Sequence, residues 1–378
     1  MIVRQFLQWV RSASAAERAE ATTALARAYL YSDLSTDDRI AAEGAMVMLL
    51  DDRSSLVRRA LAETLADKAE APPAIIVSLA NDLPDIAALV LRRSPLLLDA
   101  DLVDIVAAGE AVSQGAIAGR HDLPCAVAAA IAEVGTAIAC LILVENASAD
   151  IAPFSLDRIV ARHGHLAAMR EAILARADVP PQTHHMLVVQ LSTTLADFVA
   201  GKNWLDHDRA SRIAQDACEK ATVTLAGRTH HSEVRPLIGH LRETGQLTAG
   251  LILRAFLSGN ITLFEEALAE LSGMPLARVA GLVHDQCGTG FRALYERASL
   301  PASAYPAFSA AREAMNEGGF AAEPGGATRL KRRMVERVLT ACETNVVGEI
   351  EPLLTLLRRF ATEATREEAR SFCEELAA

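Results

Sequence analysis

Within "GLVHDQCGTGFRALYERA", residues 281–298, His284, Asp285 and Cys287 stand within four positions of one another. A cysteine beside an imidazole is the pairing of nucleophilic catalysis, in which the base takes the thiol proton and a third group orients the base. On a helix His284 and Cys287, three residues apart, share one face. A structural reading competes with this one, because a cysteine just before a glycine helix stop is ordinarily a small core residue. The neighbouring Gly288-Thr289-Gly290 lacks the preceding strand and following lysine of a phosphate loop.

Asp206-His207-Asp208 is the nearest thing to a ligand cluster. Neither it nor the pairs His163/His165, His184/His185 and His230/His231 gives an H-E-x-x-H, an i,i+4 histidine pair or a cysteine at ligand spacing. The expectation is therefore no metal and no cofactor. The six cysteines contain no C-x-x-C, so redox and zinc-ribbon chemistry have no foothold.

Arginine recurs in a regular setting. "RHDLP" (Arg120 to Pro124), "RADVP" (Arg176 to Pro180) and "RASLP" (Arg297 to Pro301) each put arginine four residues before proline. A cation at a helix C-terminus can reach unpaired carbonyls, and proline suits the first turn of the next helix. The rival reading makes the arginines a row that binds an acidic ligand, with Arg58, Arg59, Arg92, Arg93, Arg120 and Arg176 as candidate binding residues.

These residues must be positioned by helices. The chain has 378 residues, 51% of them apolar and only 4% aromatic. Alanine and leucine are the strongest helix formers, and period-two strand patterns are nearly absent. Apolar segments beginning near Leu56, Asp85, Ala111, Ala137 and His165 place Val57, Ile86, Val112, Ile138 and Leu166 at spacings of 29, 26, 26 and 28 residues. Each unit reads as two helices of about three turns, too short to bury an apolar face alone and bound to stack on its neighbours. Further on, Gly245, Gly259, Gly273 and Gly288 follow apolar stretches at spacings of 14, 14 and 15, as helix stops do. Thr262 with Glu265 predicts a capping box, and Pro275 a first-turn proline.

The segment "AVAAAIAEVGTAIACLILV", residues 126–144, approaches membrane-spanning length. Glu133, Gly135 and Thr136 fall at its middle, so two buried helices are expected there. The N-terminus lacks the long apolar run of a signal peptide, which predicts a cytoplasmic protein. The formal charge of −11 disfavours a broad nucleic-acid surface. The basic run Arg329, Lys331, Arg332, Arg333 and Arg337 has no interleaved aromatics for base stacking.

The strings "LLDDRSSLVRRALAETLAD", "ADLVDIVAAG" and "LILRAFLSGNITLFEEALAELSGMPLARVAGLVHDQCGTGFRALYERASLPASAYPAF" resemble an uncharacterised alphaproteobacterial family known only as domain of unknown function twenty-three thirty-six. The resemblance runs from about residue 30 to the C-terminus. It implies HEAT-type helical repeats in a bacterial protein, and brings no reaction or catalytic residue.

The sequence thus predicts an all-α chain, an α-solenoid of short HEAT-like hairpins with a C-terminal helical segment. Residues 1–190 form a first repeat region, 191–315 a second, 316–329 a Gly/Pro linker, and 330–378 amphipathic helices suited to self-association. The expected function is a non-catalytic scaffold binding a protein partner. The alternative is an enzyme or small-molecule binder near His284, Asp285 and Cys287.

Overall fold

The computed structural model describes residues 12–285, 289–316, 334–340 and 351–377, with Trp9 and Arg332. Every regular element among the described residues is helical. The linker beyond Asn316, like Cys287 and Gly288, lies outside them. The chain divides into two compact units, Met1–Val179 and Pro180–Ala378.

In the first unit the helices are α1 (Ala15–Tyr31), α2 (Thr36–Leu50), α3 (Ser55–Leu65), α4 (Pro73–Ala80), α5 (Pro84–Arg93), α6 (Asp99–Ala108), α7 (Ala111–Ala118), α8 (Cys125–Val134), α9 (Ala137–Glu145), α10 (Pro153–His163) and α11 (Ala167–Leu174). Their starts are chemically marked. Ser14 and Glu17 form a reciprocal capping box on α1, Ser35 caps α2, and prolines open α4, α5 and α10. Helices two apart pack on each other. The series α1, α3, α5, α7, α9, α11 forms one run of neighbours, and α6, α8 and α10 another. Small buried residues such as Ala87, Ala128 and Ala139 allow close approach, and Leu61, Val90, Ile131 and Leu143 fill the interior.

Residues 126–144 are two helices, broken where the charge pattern predicts. Gly135 ends α8 in extended backbone, where a Cβ would run into the carbonyl oxygen of Ile131. Thr136 caps α9, and its N–H donates to Oε1 of the buried Gln114 at 2.9 Å. Gln114 in turn donates to the Val106 carbonyl at 3.0 Å. No helix among the described residues is long and apolar enough to cross a membrane.

The joints are made by arginine. The last four carbonyls of any helix lack intrahelical donors, and a guanidinium offers five donors in a fixed fork. Arg120, just past α7, donates to the carbonyls of Leu91 and Ser94 at the end of α5. Arg162, ending α10, donates to Ala132 and Gly135 at the end of α8, both at 2.8 Å. Arg176, past α11, reaches Val144 and Asn146 at the end of α9. Each therefore grips the end of the helix two before its own. Arg18 and Arg58 make the related joints near the N-terminus: Arg18 pairs bidentately with Asp52 at 2.8 Å, and Arg58 with Asp82 at 2.7 and 3.0 Å.

The second unit opens with a long helical hairpin, α12 (Pro181–Gly201) and α13 (His207–Arg228). It continues through α14 (His231–Glu243), α15 (Ala249–Leu257), α16 (Ile261–Ser272), α17 (Leu276–His284), α18 (Thr289–Arg297) and α19 (Tyr305–Asn316) to α20 (Glu351–Ala377). Gly245, Gly259 and Gly273 take left-handed backbone just past three helices, with φ of 70°, 77° and 67°. Arg297 donates to the Ser272 carbonyl at 2.8 Å, and Arg312 to that of Asp285. The joint pattern thus recurs here.

Two local expectations are corrected. α16 is capped by Asn260, whose side chain accepts from the Leu263 N–H at 3.1 Å, and Thr262 already lies inside the helix. The Gly259 stop leaves Asn260 in the half-in position, so the capping box is pre-empted. Likewise Pro124 and Pro275 occupy the cap itself, one place ahead of the first helical residue.

Aromatics concentrate in the second core. Phe256 stacks on Phe264 at 4.0 Å, and Phe308 lies next to both Phe264 and Tyr295. α20 docks here through buried Leu357, Phe360 and Ala364. The buried Arg254 of α15 lies 4.2 Å from the Phe360 ring centroid and contacts Asp216, Glu219 and Glu363.

Two outcomes test the joints. Arg120→Ala leaves the Leu91 and Ser94 carbonyls without this donor and should cost about 1–3 kcal/mol in urea unfolding, with Arg120→Lys recovering only part; a loss below about 0.5 kcal/mol contradicts the role. The hydrogen bonds from Arg18, opposed by burial and helped by the Ser54 N–H and the nearby arginine charges, hold Asp52 below the ordinary carboxylate range. A depressed folded pKa gives stability that is complete above about pH 4 and lost as pH falls below it. The advantage of wild type over Asp52→Asn should therefore shrink in acid, and a difference independent of pH rejects the pairing.

Candidate functional site

The arginines named from sequence divide by environment. Arg58 also donates to the Asp52 carbonyl at 2.6 Å, and Arg176 pairs with Asp178 at 2.7 Å. Arg120, as above, serves a joint. Arg59 is exposed and pairs along its own helix with Glu63 at 2.9 Å. Arg92 and Arg93 close α5 at the surface.

Of the alternative cluster, His284 and Asp285 are among the described residues. His284 is exposed, with Nε2 3.0 Å from Oε1 of Glu265 but without hydrogen-bond alignment. The Asp285 carbonyl serves Arg312, and Cys287 lies outside the described residues. Asp206 precedes α13, and His207 and Asp208 open it, where a carboxylate complements the helix dipole. No group of three or more metal-ligating side chains occurs among the described residues.

Two concavities with mainly apolar walls stand out instead, one in each unit. The first is an open groove of about 480 Å³ across α5, α7 and α9. Its apolar surface comes from Leu89, Val112, Ile138 and Ile142, and Arg92 and Arg93 stand at its edge. Ile138 is 70% exposed and Val112 48%, so two branched aliphatics face solvent where single-chain packing would hide them. Gly115 makes the floor: a Cβ there would come 3.3 Å from Cδ1 of Ile142. At Gly119, just past α7, a Cβ would lie in ordinary contact with the Arg92 guanidinium, at 3.6 Å.

The second is a cavity of about 400 Å³ between α12 and α13, reaching the turn that joins α14 to α15. Small residues face one another across it, Ser192 and Ala196 from α12 and Ser211, Ala214 and Cys218 from α13. His185 and Glu219 line it from opposite helices, with Gln246 and Thr248 at the turn. His185 is 1% exposed, and its ring stands edge-on to His240 with centroids 5.5 Å apart. Burial, reinforced by His240 and opposed by a hydrogen bond with Gln246, pushes its pKa down to about 4. The ring is thus neutral near pH 7, and its buried Nδ1 has no hydrogen-bond partner. Burial pushes the Glu219 carboxyl up, partly countered by Arg254 at 3.9 Å. Thr248 Oγ1 lies 3.5 Å from Glu219 Oε1. Burial also pushes the Cys218 thiol up, the opposite of what a thiolate nucleophile requires.

Sequence reasoning named Arg92, Arg93, His185 and His207 but missed the surfaces around them. A signal for the cavity was present: small residues recur at Ser192/Ala196 and Ser211/Ala214/Cys218 on one face of each helix. For the groove it was Gly115 inside α7.

A family model described as uncharacterised protein conserved in bacteria (DUF2336) matches residues 86–348, a span that holds both concavities. No curated protein and no solved structure matches the chain.

The buried imidazole yields a further test. Below pH 6.5 the unfolded ring binds a proton that the folded ring resists down to about pH 4. Its contribution is therefore complete above pH 6.5 and lost as pH falls toward 4. Wild type should lose about 3 kcal/mol across that window relative to His185→Gln. Parallel pH profiles would show the ring to be solvated.

Proposed function

This chain belongs to the DUF2336 family of bacterial proteins, and from that premise we propose that it is a non-catalytic, cytoplasmic helical scaffold that binds a protein partner in the groove over α5, α7 and α9. The helix order read as a HEAT-like α-solenoid suits this role, because such folds present continuous surfaces made of successive helices. One observation carries the reading: an exposed aliphatic floor, Val112 with Ile138, bordered by Arg92 and Arg93 and by no carboxylate among its lining residues. In a chain with a formal charge of −11, that edge is locally basic. It fits an amphipathic segment of the partner, with apolar residues at i, i+3 and i+4 and acidic residues beside them. The aliphatic contacts supply affinity, and the arginines supply orientation and rate of encounter.

The test places a photo-crosslinking amino acid at position 112 in the intact protein and maps the segment captured in the bacterial cell. That segment, made as a peptide, should bind the wild type and lose about tenfold or more in affinity for Arg92→Glu/Arg93→Glu. Arg59→Glu, off the groove, should leave binding unchanged. Absence of a protein adduct at position 112, or equal affinity of the peptide for the double variant, rejects the proposal.

A further inference from the structure

We propose that the cavity between α12 and α13 binds a small organic cation, an amine with an aliphatic body, whose ammonium group sits between the Glu219 carboxylate and the unpartnered ring nitrogen of His185.

The first support is the unmatched nitrogen. His185 is 1% exposed and lines the cavity, yet Nδ1 meets no hydrogen-bond partner in the chain. Buried polar groups without partners are few in folded proteins, because each costs the desolvation it suffered. With Nε2–H donating to the Gln246 side chain, Nδ1 keeps the lone pair that only accepts, and an ammonium has three donors and no acceptor. The match is complementary in kind.

The second support is charge. Glu219 and Asp197 line the cavity, and no lysine or arginine does. An anionic ligand would meet two carboxylates and no compensating cation. Arg254 approaches Glu219 only at 3.9 Å, and it is shared with Asp216 and Glu363. A ligand cation would therefore add a counter-charge on the cavity side of Glu219. Burial, opposed by the Arg254 charge and helped by that of Asp216, raises that carboxyl despite hydrogen bonds with Thr248 and Gln215.

The third support is shape and polarity. Val189, Ala196, Ala214, Leu241 and Leu251 provide aliphatic wall, and the volume of about 400 Å³ falls in the ordinary range of small-molecule sites. The wall has no aromatic face, so the site lacks the cage that selects quaternary ammonium. A primary amine, which can donate hydrogen bonds, fits better.

The experiment is calorimetric titration of the full-length protein with n-hexylamine, n-hexanol and hexanoate, which share one chain length and differ in charge. Hexylamine should bind saturably at one site, hexanol at least about tenfold more weakly, and hexanoate not at all. Glu219→Gln should weaken hexylamine about tenfold or more. Ala214→Trp, which fills the cavity while keeping both polar partners, should abolish binding with an unchanged circular dichroism spectrum. Nitrogen-15 spectra of labelled histidine should show the His185 ring signal moving with hexylamine in the wild type. That readout stands even if Glu219→Gln fails to fold. Hexanoate binding as tightly as hexylamine, undiminished amine affinity in a folded Glu219→Gln or Ala214→Trp, or a His185 signal that does not move at saturation each overturns the proposal.

Discussion

Short helices end often, and each end leaves carbonyl groups that nothing in the helix can satisfy. A chain built from helices of eight to eleven residues, as α3 to α11 are, must solve this problem again at every joint. The solution here is a guanidinium reaching back to the helix two before its own, seen in Arg120, Arg162 and Arg176 and again in Arg297 and Arg312. Because the donors come from a different helix, the same contact that closes one helix also sets its distance to the neighbour. The rest of the packing depends on that spacing.

One consequence is where binding surface is left over. Arginines used at joints are withdrawn from solvent partners, so charge alone is a poor guide to function in this chain. Arg92 and Arg93 instead stand at the end of α5, where Gly115 leaves the surface of α7 open beside them. Exposed Val112 and Ile138 supply the apolar part that the joints do not use.

The second unit solves a different problem. Its core holds the aromatic stack of Phe256, Phe264 and Phe308, and it keeps a charged group, Arg254, almost wholly buried. An unpaired buried cation would be strongly destabilising. Three carboxylates and the Phe360 ring surround it, and two of those groups arrive on α20. The long hairpin of α12 and α13 packs with small residues face to face, and the space they leave is walled by His185 and Glu219.

Much of this was legible in the chain. The helical class follows from alanine, leucine and the scarcity of strand patterns, because propensity summed over many short segments is informative. The break at Gly135-Thr136 and the stops at Gly245, Gly259 and Gly273 were readable because backbone conformation is a local property of residue type. Arg120, Arg176 and Arg297 could be picked out from their spacing to proline, with their chemistry, whereas Arg162 and Arg312 carry no such mark. What they touch could not, since Leu91, Ala132 and Val144 lie some thirty residues away and become neighbours only through packing. The same limit hid the two concavities. A missing side chain leaves a surface or a cavity only if a facing helix fails to fill it, and the facing helix is chosen by the tertiary structure. Sequence alone thus determined the class, the glycine helix stops at Gly245, Gly259 and Gly273, and the kind of chemistry at the arginine–proline joints. Tertiary structure decided which arginines remain at the surface, and that a histidine from one helix and a glutamate from another share one cavity.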